Sequence, residues 1–282
     1  MTVLITGARG KVGRAVLDRL HAAGLPVRAA SAEPAELAVP AGVATAELVL
    51  DRPETFTAAL DGVRQVFLYP NPEGIGAFTE AARAAGVEHV VLMSSSSVNA
   101  PDAETRPLAA HHLHVEQALT ASGLPCTFLR PGAFASNTLG WARPISQGLP
   151  VQLAYPDAHI APIHPDDIAD VAVEAFSGTA VRGLAVTLTG ARSLTFREQL
   201  ATLADVLGRE IVVETITRAE AEQQMGRFMP PGIVGSLLDF WAAACAGPAT
   251  IADTTETLLG TPARSFRQWA VENAAAFTLP KE

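Results

Sequence analysis

Thr6-Gly7-Ala8-Arg9-Gly10-Lys11-Val12-Gly13 spaces three glycines at intervals of three. The run Val3-Leu4-Ile5 precedes it, and Val12, Val16, Leu17 and Leu20 follow at helical spacing. Strand, glycine turn and helix in that order have a specific chemical use: the backbone turns sharply, approaches a pyrophosphate closely, and aims unpaired N–H groups of the helix N-terminus at an anion. Thr6, Gly7, Arg9, Gly10, Lys11, Val12 and Gly13 are therefore candidate dinucleotide contacts. A turn that serves only the fold is the competing reading. At the tip of the second strand the residues are Ala30-Ser31-Ala32, and the first acid, Glu33, comes one step later. Arg9 and Lys11, with Ser31 beside them, could face a 2'-phosphate, which favours NADP(H). In the opposing reading Glu33 takes the ribose hydroxyls of NAD(H), and Arg9 is a solvated loop residue. Asp51-Arg52, after the third strand, stands either at the adenine edge or, for Asp51, at the cap of the next helix.

A second set of reactive side chains lies further along. Ser94 to Ser97 follow the fifth strand at the edge where open parallel sheets bind ligands, so Ser94 is a cofactor candidate, Ser95 a catalytic one and Ser96 a substrate one. Turn chemistry accounts for serines there equally well. His112 lies on the following helix, where its imidazole could contact the nicotinamide ribose or shuttle a proton near neutral pH. His111, His112 and His114 cannot all face one site, and a polar helix face is the alternative. Tyr69 and Pro70 after the fourth strand, and Pro131 and Phe134 after the sixth, are further cofactor neighbours. Asn137, Trp141 and Tyr155 are candidate substrate-pocket residues. No His, Cys and carboxylate spacing forms a ligand set, so no metal is expected.

The elements that must position these groups alternate. Strands are read at 3–5, 26–30, 46–50, 64–69, 89–93 and 126–130, with a first helix carried by Val12, Val16, Leu17 and Leu20 until Ala22-Ala23-Gly24 stops it, and further helices at 54–60, 74–85 and 105–121. Continuous apolar strands separated by helices imply a Rossmann-type, doubly wound parallel sheet covered on both faces. After Arg130-Pro131-Gly132 the rhythm loosens. Residues 1–132 are read as the NAD(P)-binding domain and 133–282 as a smaller, partly interleaved α/β substrate region. The latter carries helices near 166–177, 195–207, 218–245 and 264–276 and a strand near 184–189. Val234, Leu237, Leu238 and Trp241 form an apolar stripe suited to a lid or a dimer face.

Composition bounds the partners. The 282 residues are 49% hydrophobic and 17% charged, enough for one large or two modest cores. Cys126 and Cys245 stand far apart, which fits a reducing compartment. With no basic leader before an apolar run, and apolar stretches too short to span a bilayer, a cytoplasmic protein without a membrane contact is expected. A net charge of -9 argues against nucleic acid. Lys11 and Lys281 are the only lysines against eighteen arginines. Any lysine-dependent chemistry must use one of those two.

Taken with the glycine turn, Met93-Ser94-Ser95-Ser96, the run His112 to Ala118, Ser122-Gly123-Leu124-Pro125 through Arg130-Pro131-Gly132, Asp166-Asp167-Ile168-Ala169-Asp170 and Leu259-Gly260-Thr261-Pro262 resemble the NmrA-like group of atypical short-chain dehydrogenases/reductases. That group includes bacterial type 2 NAD(P)H:quinone oxidoreductases and triphenylmethane reductases. The resemblance implies an NAD(P)H-dependent reductase of a small aromatic or conjugated acceptor, a possible homodimer. It leaves open a non-catalytic NADP(H)-binding redox sensor and a lyase, cyclase or isomerase on the same fold. One departure is informative. Four residues after Tyr69 and Tyr155 come Glu73 and His159, so the Tyr-x-x-x-Lys dyad is missing, and the family's lysine and tyrosine positions fall on His112 and Leu108. Quinones and enones accept hydride without a strong acid, which makes them the expected substrates.

Overall fold

Val3, Leu4 and Ile5 have no solvent exposure, which requires a strand covered on both faces. A computed structural model describes residues 2–178 and 180–278, and Lys281 lies outside them. The first half contains β1 (Thr2–Ile5), α1 (Lys11–Ala22), β2 (Val27–Ser31), β3 (Ala44–Glu47), α2 (Phe56–Leu60), β4 (Val63–Leu68), α3 (Ile75–Ala84), β5 (His89–Met93), α4 (Pro107–Ser122) and β6 (Cys126–Pro131). There follow α5 (Ala142–Ser146), β7 (Val151–Leu153), β8 (His159–Ile160), α6 (Pro165–Ser177), β9 (Ala185–Leu188), β10 (Leu194–Thr195), α7 (Phe196–Leu207), β11 (Val213–Thr215), α8 (Arg218–Met225), α9 (Pro231–Ala244), α10 (Thr254–Leu259) and α11 (Phe266–Glu272).

Seven strands form one parallel sheet in the order β3-β2-β1-β4-β5-β6-β9. Alternation sorts its side chains. Val3, Ile5, Phe67, Val91 and Met93 pack with Val12, Val16, Leu17 and Leu20 of α1 and Ile168, Ala169 and Ala172 of α6. Leu4, Val66, Leu68, Val90 and Leu92 pack on the other face with Phe56, Phe78, Val115 and Leu119. The chain reverses direction across the sheet between β1 and β4, so their C-terminal ends flank a crevice, the usual ligand position of such sheets. β9 supplies the seventh strand from beyond residue 132 and is hydrogen-bonded to β6.

Two expectations shift. The third strand is read at 46–50 but runs from Ala44 to Glu47, because Leu48 and Leu50 leave the edge of the sheet and turn into the core beside α2. The helix read over 218–245 is two helices, and Val234, Leu238 and Trp241 of its apolar stripe pack within the chain. Gly226 to Pro230 divides α8 from α9, and Val234 and Leu238 are buried against Ala154, Tyr155, Ile216 and Met225. The short pairs β7 with β11 and β8 with β10 carry too few residues to show a period. Among the described residues no helix is long and apolar enough to cross a membrane.

An ionic chain ties the later elements to α1. Arg19 bonds Asp166 (3.1 Å) and Asp170 (2.6 Å) of α6, and Arg264 bonds Asp170 (2.8 Å) and the buried Asp167. His164 closes the N-terminus of α6. Its Nδ1 accepts the Asp166 N–H at 3.1 Å while Nε2 lies 2.9 Å from Glu272. Burial pushes the Asp167 carboxyl above its ordinary value although Arg264 opposes the shift. Arg264→Ala removes that opposition. It is expected to cost about 2 kcal/mol at neutral pH, less than a fully buried pair because the guanidinium is 30% exposed. Asp167 then binds its proton more tightly when folded than when unfolded, so the deficit shrinks as pH falls. Urea unfolding of both proteins at pH 7.5 and pH 5 checks the size and the sign.

Candidate functional site

The glycine turn is built by close backbone contact. Gly7 has φ of +67°, a left-handed conformation that favours glycine, and a Cβ there would stand 2.3 Å from the Tyr69 ring. A Cβ on Gly13 would stand 2.3 Å from the Gly7 carbonyl oxygen, so α1 touches the turn with no room for a methyl group. Gly10 donates its N–H to Gly7 at 2.9 Å and precedes α1, whose first turn has no side-chain cap among the described residues. The amides of Lys11, Val12 and Gly13 therefore begin a helix that faces the crevice without a protein cap. A space that only glycine permits, beside an uncapped helix N-terminus, fits a dinucleotide pyrophosphate.

Thr6 braces the turn. Its hydroxyl donates to the Phe67 carbonyl (3.1 Å) and accepts the Tyr69 N–H (2.7 Å), so it joins β1 to the end of β4 and seats Tyr69 against the turn. Burial pushes the Tyr69 phenol up, so the side chain stays protonated.

At the adenosine end, Arg9 and Glu33 stand together. Arg9 Nη2 donates to Glu33 Oε2 (3.0 Å), Glu36 Oε2 (3.1 Å) and the Glu33 carbonyl (3.2 Å). Ser31 accepts the Glu33 N–H at 3.1 Å. Lys11 is exposed at the first position of α1. Arg52 pairs with Glu47 at 2.8 Å, and Asp51 makes no cap.

At the other end of the crevice a buried acid organises three strands. Glu116 on α4, with 3% exposure, accepts the Ser94 hydroxyl (2.5 Å) and both Nε (3.0 Å) and Nη2 (2.6 Å) of Arg130. Arg130 Nη1 donates to Asn99 Oδ1 (2.9 Å), and Asn99 Nδ2 donates to Thr187 on β9 (3.1 Å). The serine segment is thus anchored at both ends. Between the anchors Ser97 donates its N–H and its hydroxyl to Ser95 Oγ, at 3.2 and 2.9 Å, while Ser96 Oγ faces Gly132. Glu116, Arg130 and Asn99 were not singled out from the sequence as site residues. Their signal was charge inside apolar runs, Glu116 between Val115 and Leu119 and Arg130 within Cys126–Pro131.

His112 lies one helical turn before Glu116, half-buried, and its Nδ1 is enclosed without a partner among the described residues. Burial, with His111 beside it, pulls the imidazole down to about 4 against the attraction of Glu116. It is therefore neutral at physiological pH, which corrects the expectation of a proton shuttle titrating near neutrality. His111 is exposed toward the Pro70 carbonyl and His114 is exposed, so one imidazole of the three turns inward.

Pro131 pairs with Leu188, and Phe134 bridges to Ile163. Trp141, Phe196 and Trp241 meet edge to face at 5.7 and 5.4 Å, and Tyr155 packs beside them. Trp141 and Tyr155 thus lie together, with Phe196 and Trp241 in the same cluster. Asn137 is exposed on the short helical segment 135–141.

The NAD(P)H-binding family matches residues 7–178. The chain is 39% identical over 283 residues to the (4-alkanoyl-5-oxo-2,5-dihydrofuran-3-yl)methyl phosphate reductase of Streptomyces griseus, spanning 98% of this chain and 99% of that one. It is 33% identical over 288 residues to the NAD(P)H azoreductase of Xenophilus azovorans, spanning 98% and 99%. The NADPH complex of an Escherichia coli NADPH-dependent quinone oxidoreductase superposes with a TM-score of 0.81 at 23% identity, over 96% of this chain and 99% of that one. Citrobacter sp. triphenylmethane reductase complexed with NADP(H) gives 0.79 at 21%, over 97% and 100%. At these identities the two structures support the fold.

Two tests follow from the geometry. Gly13→Ala forces α1 away from Gly7 and is expected to abolish NADPH binding, read by nucleotide fluorescence, and to cost about 1–3 kcal/mol of stability. His89, fully buried against Thr127, is also pulled down to about 4. With His112 it leaves the folded chain holding fewer protons than the unfolded one between pH 4 and the ordinary histidine value of 6.5. Stability from both is complete above pH 6.5 and lost as pH falls toward 4. Urea unfolding at pH 7 and 4.5 is expected to show that loss, and a smaller one in His112→Gln.

Proposed function

This chain belongs to the NAD(P)H-binding family, of the atypical short-chain dehydrogenase/reductase type, and on that premise we propose that it is an NAD(P)H-dependent reductase of small conjugated or aromatic acceptors. The observation that carries the reading is the Gly7–Gly13 cradle at the β1/β4 crevice, where a methyl group would collide with the Tyr69 ring at Gly7 and with the Gly7 carbonyl at Gly13. The turn amides would hold the pyrophosphate. Arg9 and Lys11 would hold a 2'-phosphate, which favours NADP(H), and Tyr69, Pro131 and Phe134 would border the nicotinamide half. When bound, the dinucleotide supplies the hydride.

The chain's own residues then have three tasks. Trp141, Tyr155, Phe196 and Trp241 form an apolar wall that excludes water from an acceptor. Ser96, unpaired among the described residues, offers a hydroxyl at the C-terminal edge of the sheet. His112, neutral through burial, offers a hydrogen bond from its ring and no imidazolium proton. A simple ketone needs a strong acid at its developing alkoxide. A quinone, an enone or a cationic dye disperses the incoming charge through conjugation, so a neutral donor suffices.

NADPH oxidation at 340 nm against quinones, conjugated ketones and simple ketones tests this reading. Turnover of the conjugated acceptors alone is expected. Binding of NADPH without oxidation by any acceptor contradicts it. His112→Ala is expected to lower kcat with the best acceptor by about 10- to 100-fold, the size of one lost hydrogen bond in a dry site, while NADPH affinity changes less.

A further inference from the structure

The Arg9 contacts raise a question that the glycine turn alone does not answer. Its guanidinium leaves the turn between Gly7 and Gly10 and, through Nη2, meets the carboxylates of both Glu33 and Glu36 at 3.0 and 3.1 Å. Glu33 lies two residues past the end of β2, where an acid reads ribose hydroxyls in dinucleotide folds and a cation reads a 2'-phosphate. Both chemistries therefore stand at one place and are paired with each other. Ser31 fixes the strand tip by accepting the Glu33 N–H, and Pro34 opens the short helical turn Pro34–Glu36 that carries Glu36. The side chains of Arg9, Glu33 and Glu36 are 48%, 60% and 67% exposed, so the ion pairs are solvent-screened and readily exchanged.

We propose that Glu33 and Glu36 compete with a 2'-phosphate for Arg9 and thereby set the ratio of NADPH to NADH use. The inference rests on the reductase reading above. A 2'-phosphate brings about two negative charges and several acceptor oxygens to the guanidinium, so it displaces two weakly held carboxylates. With an unphosphorylated ribose, Arg9 stays on Glu36, and the Glu33 carboxylate accepts the ribose hydroxyls. The result is a chain that uses both nucleotides, with a preference for NADPH held below what a free arginine would give. Glu36 takes part only in the first competition and Glu33 in both.

Dissociation constants for NADPH and NADH, measured by nucleotide fluorescence on wild type, Glu33→Gln, Glu36→Gln and Arg9→Gln, separate these roles. Glu36→Gln is expected to tighten NADPH by about 2- to 5-fold, the size of an exposed ion pair, and to leave NADH within 2-fold. Glu33→Gln is expected to tighten NADPH and weaken NADH, so the ratio moves furthest. Arg9→Gln is expected to weaken NADPH by about 10-fold and NADH by less. A role confined to folding would move both nucleotides together. Tight wild-type binding with the same NADPH:NADH ratio in both glutamine variants overturns the proposal alone. Wild-type protein that binds neither nucleotide overturns the reductase reading and the proposal with it.

Discussion

The contact of Gly13 on the Gly7 carbonyl is the constraint from which the rest of the site follows. It brings α1 so close to the first turn that a Cβ would lie 2.3 Å from a backbone oxygen, and it directs the uncapped helix N-terminus at the crevice. Thr6 then ties that turn to β4, and Tyr69 closes over it. α6 lies along α1 through Arg19, Asp166 and Asp170, and Arg264 joins the segment before α11 to Asp170 and Asp167. One close backbone approach thus fixes the helix N-terminus at the crevice and the platform on which the later half of the chain is mounted.

The other end of the crevice depends on a buried charge. Glu116 and Arg130 are costly to desolvate, and the cost is offset by their two-pronged pairing together with Ser94 on Glu116, Asn99 on Arg130 and Thr187 behind Asn99. That network joins α4, the loop after β5, β6 and β9. Since β9 comes from beyond residue 132, the serine segment is held in place by both halves of the chain. Glu116 also stands one turn from His112, whose imidazole remains neutral because burial outweighs that charge.

Much of this was legible in the residues. β5 falls at 89–93 as read, and α1 and α6 fall where apolar spacing places them, because long or fully buried elements carry an unambiguous period. β3 was displaced because Leu48 and Leu50 are buried by leaving the sheet rather than by joining it. The pairs β7 with β11 and β8 with β10 were missed because two or three residues carry no period. The glycine turn could be read as a site since its geometry is local. The Arg9 contacts with Glu33 and Glu36, and those of Glu116 with Ser94 and Arg130, depend on residues 14 to 27 positions apart and needed the fold. For His112 the position was legible and the protonation state was not, because burial decides it.

Hydride transfer to a conjugated acceptor is the central claim, and isotope transfer tests it most directly. NADPH carrying deuterium at both C4 positions, incubated with the protein and an enone, is expected to deliver one deuterium to the β-carbon of the reduced product with one equivalent of NADP formed, as read by mass spectrometry. Recovery of the enone unreduced, with the label still on the nucleotide under conditions where the nucleotide is bound, would contradict it.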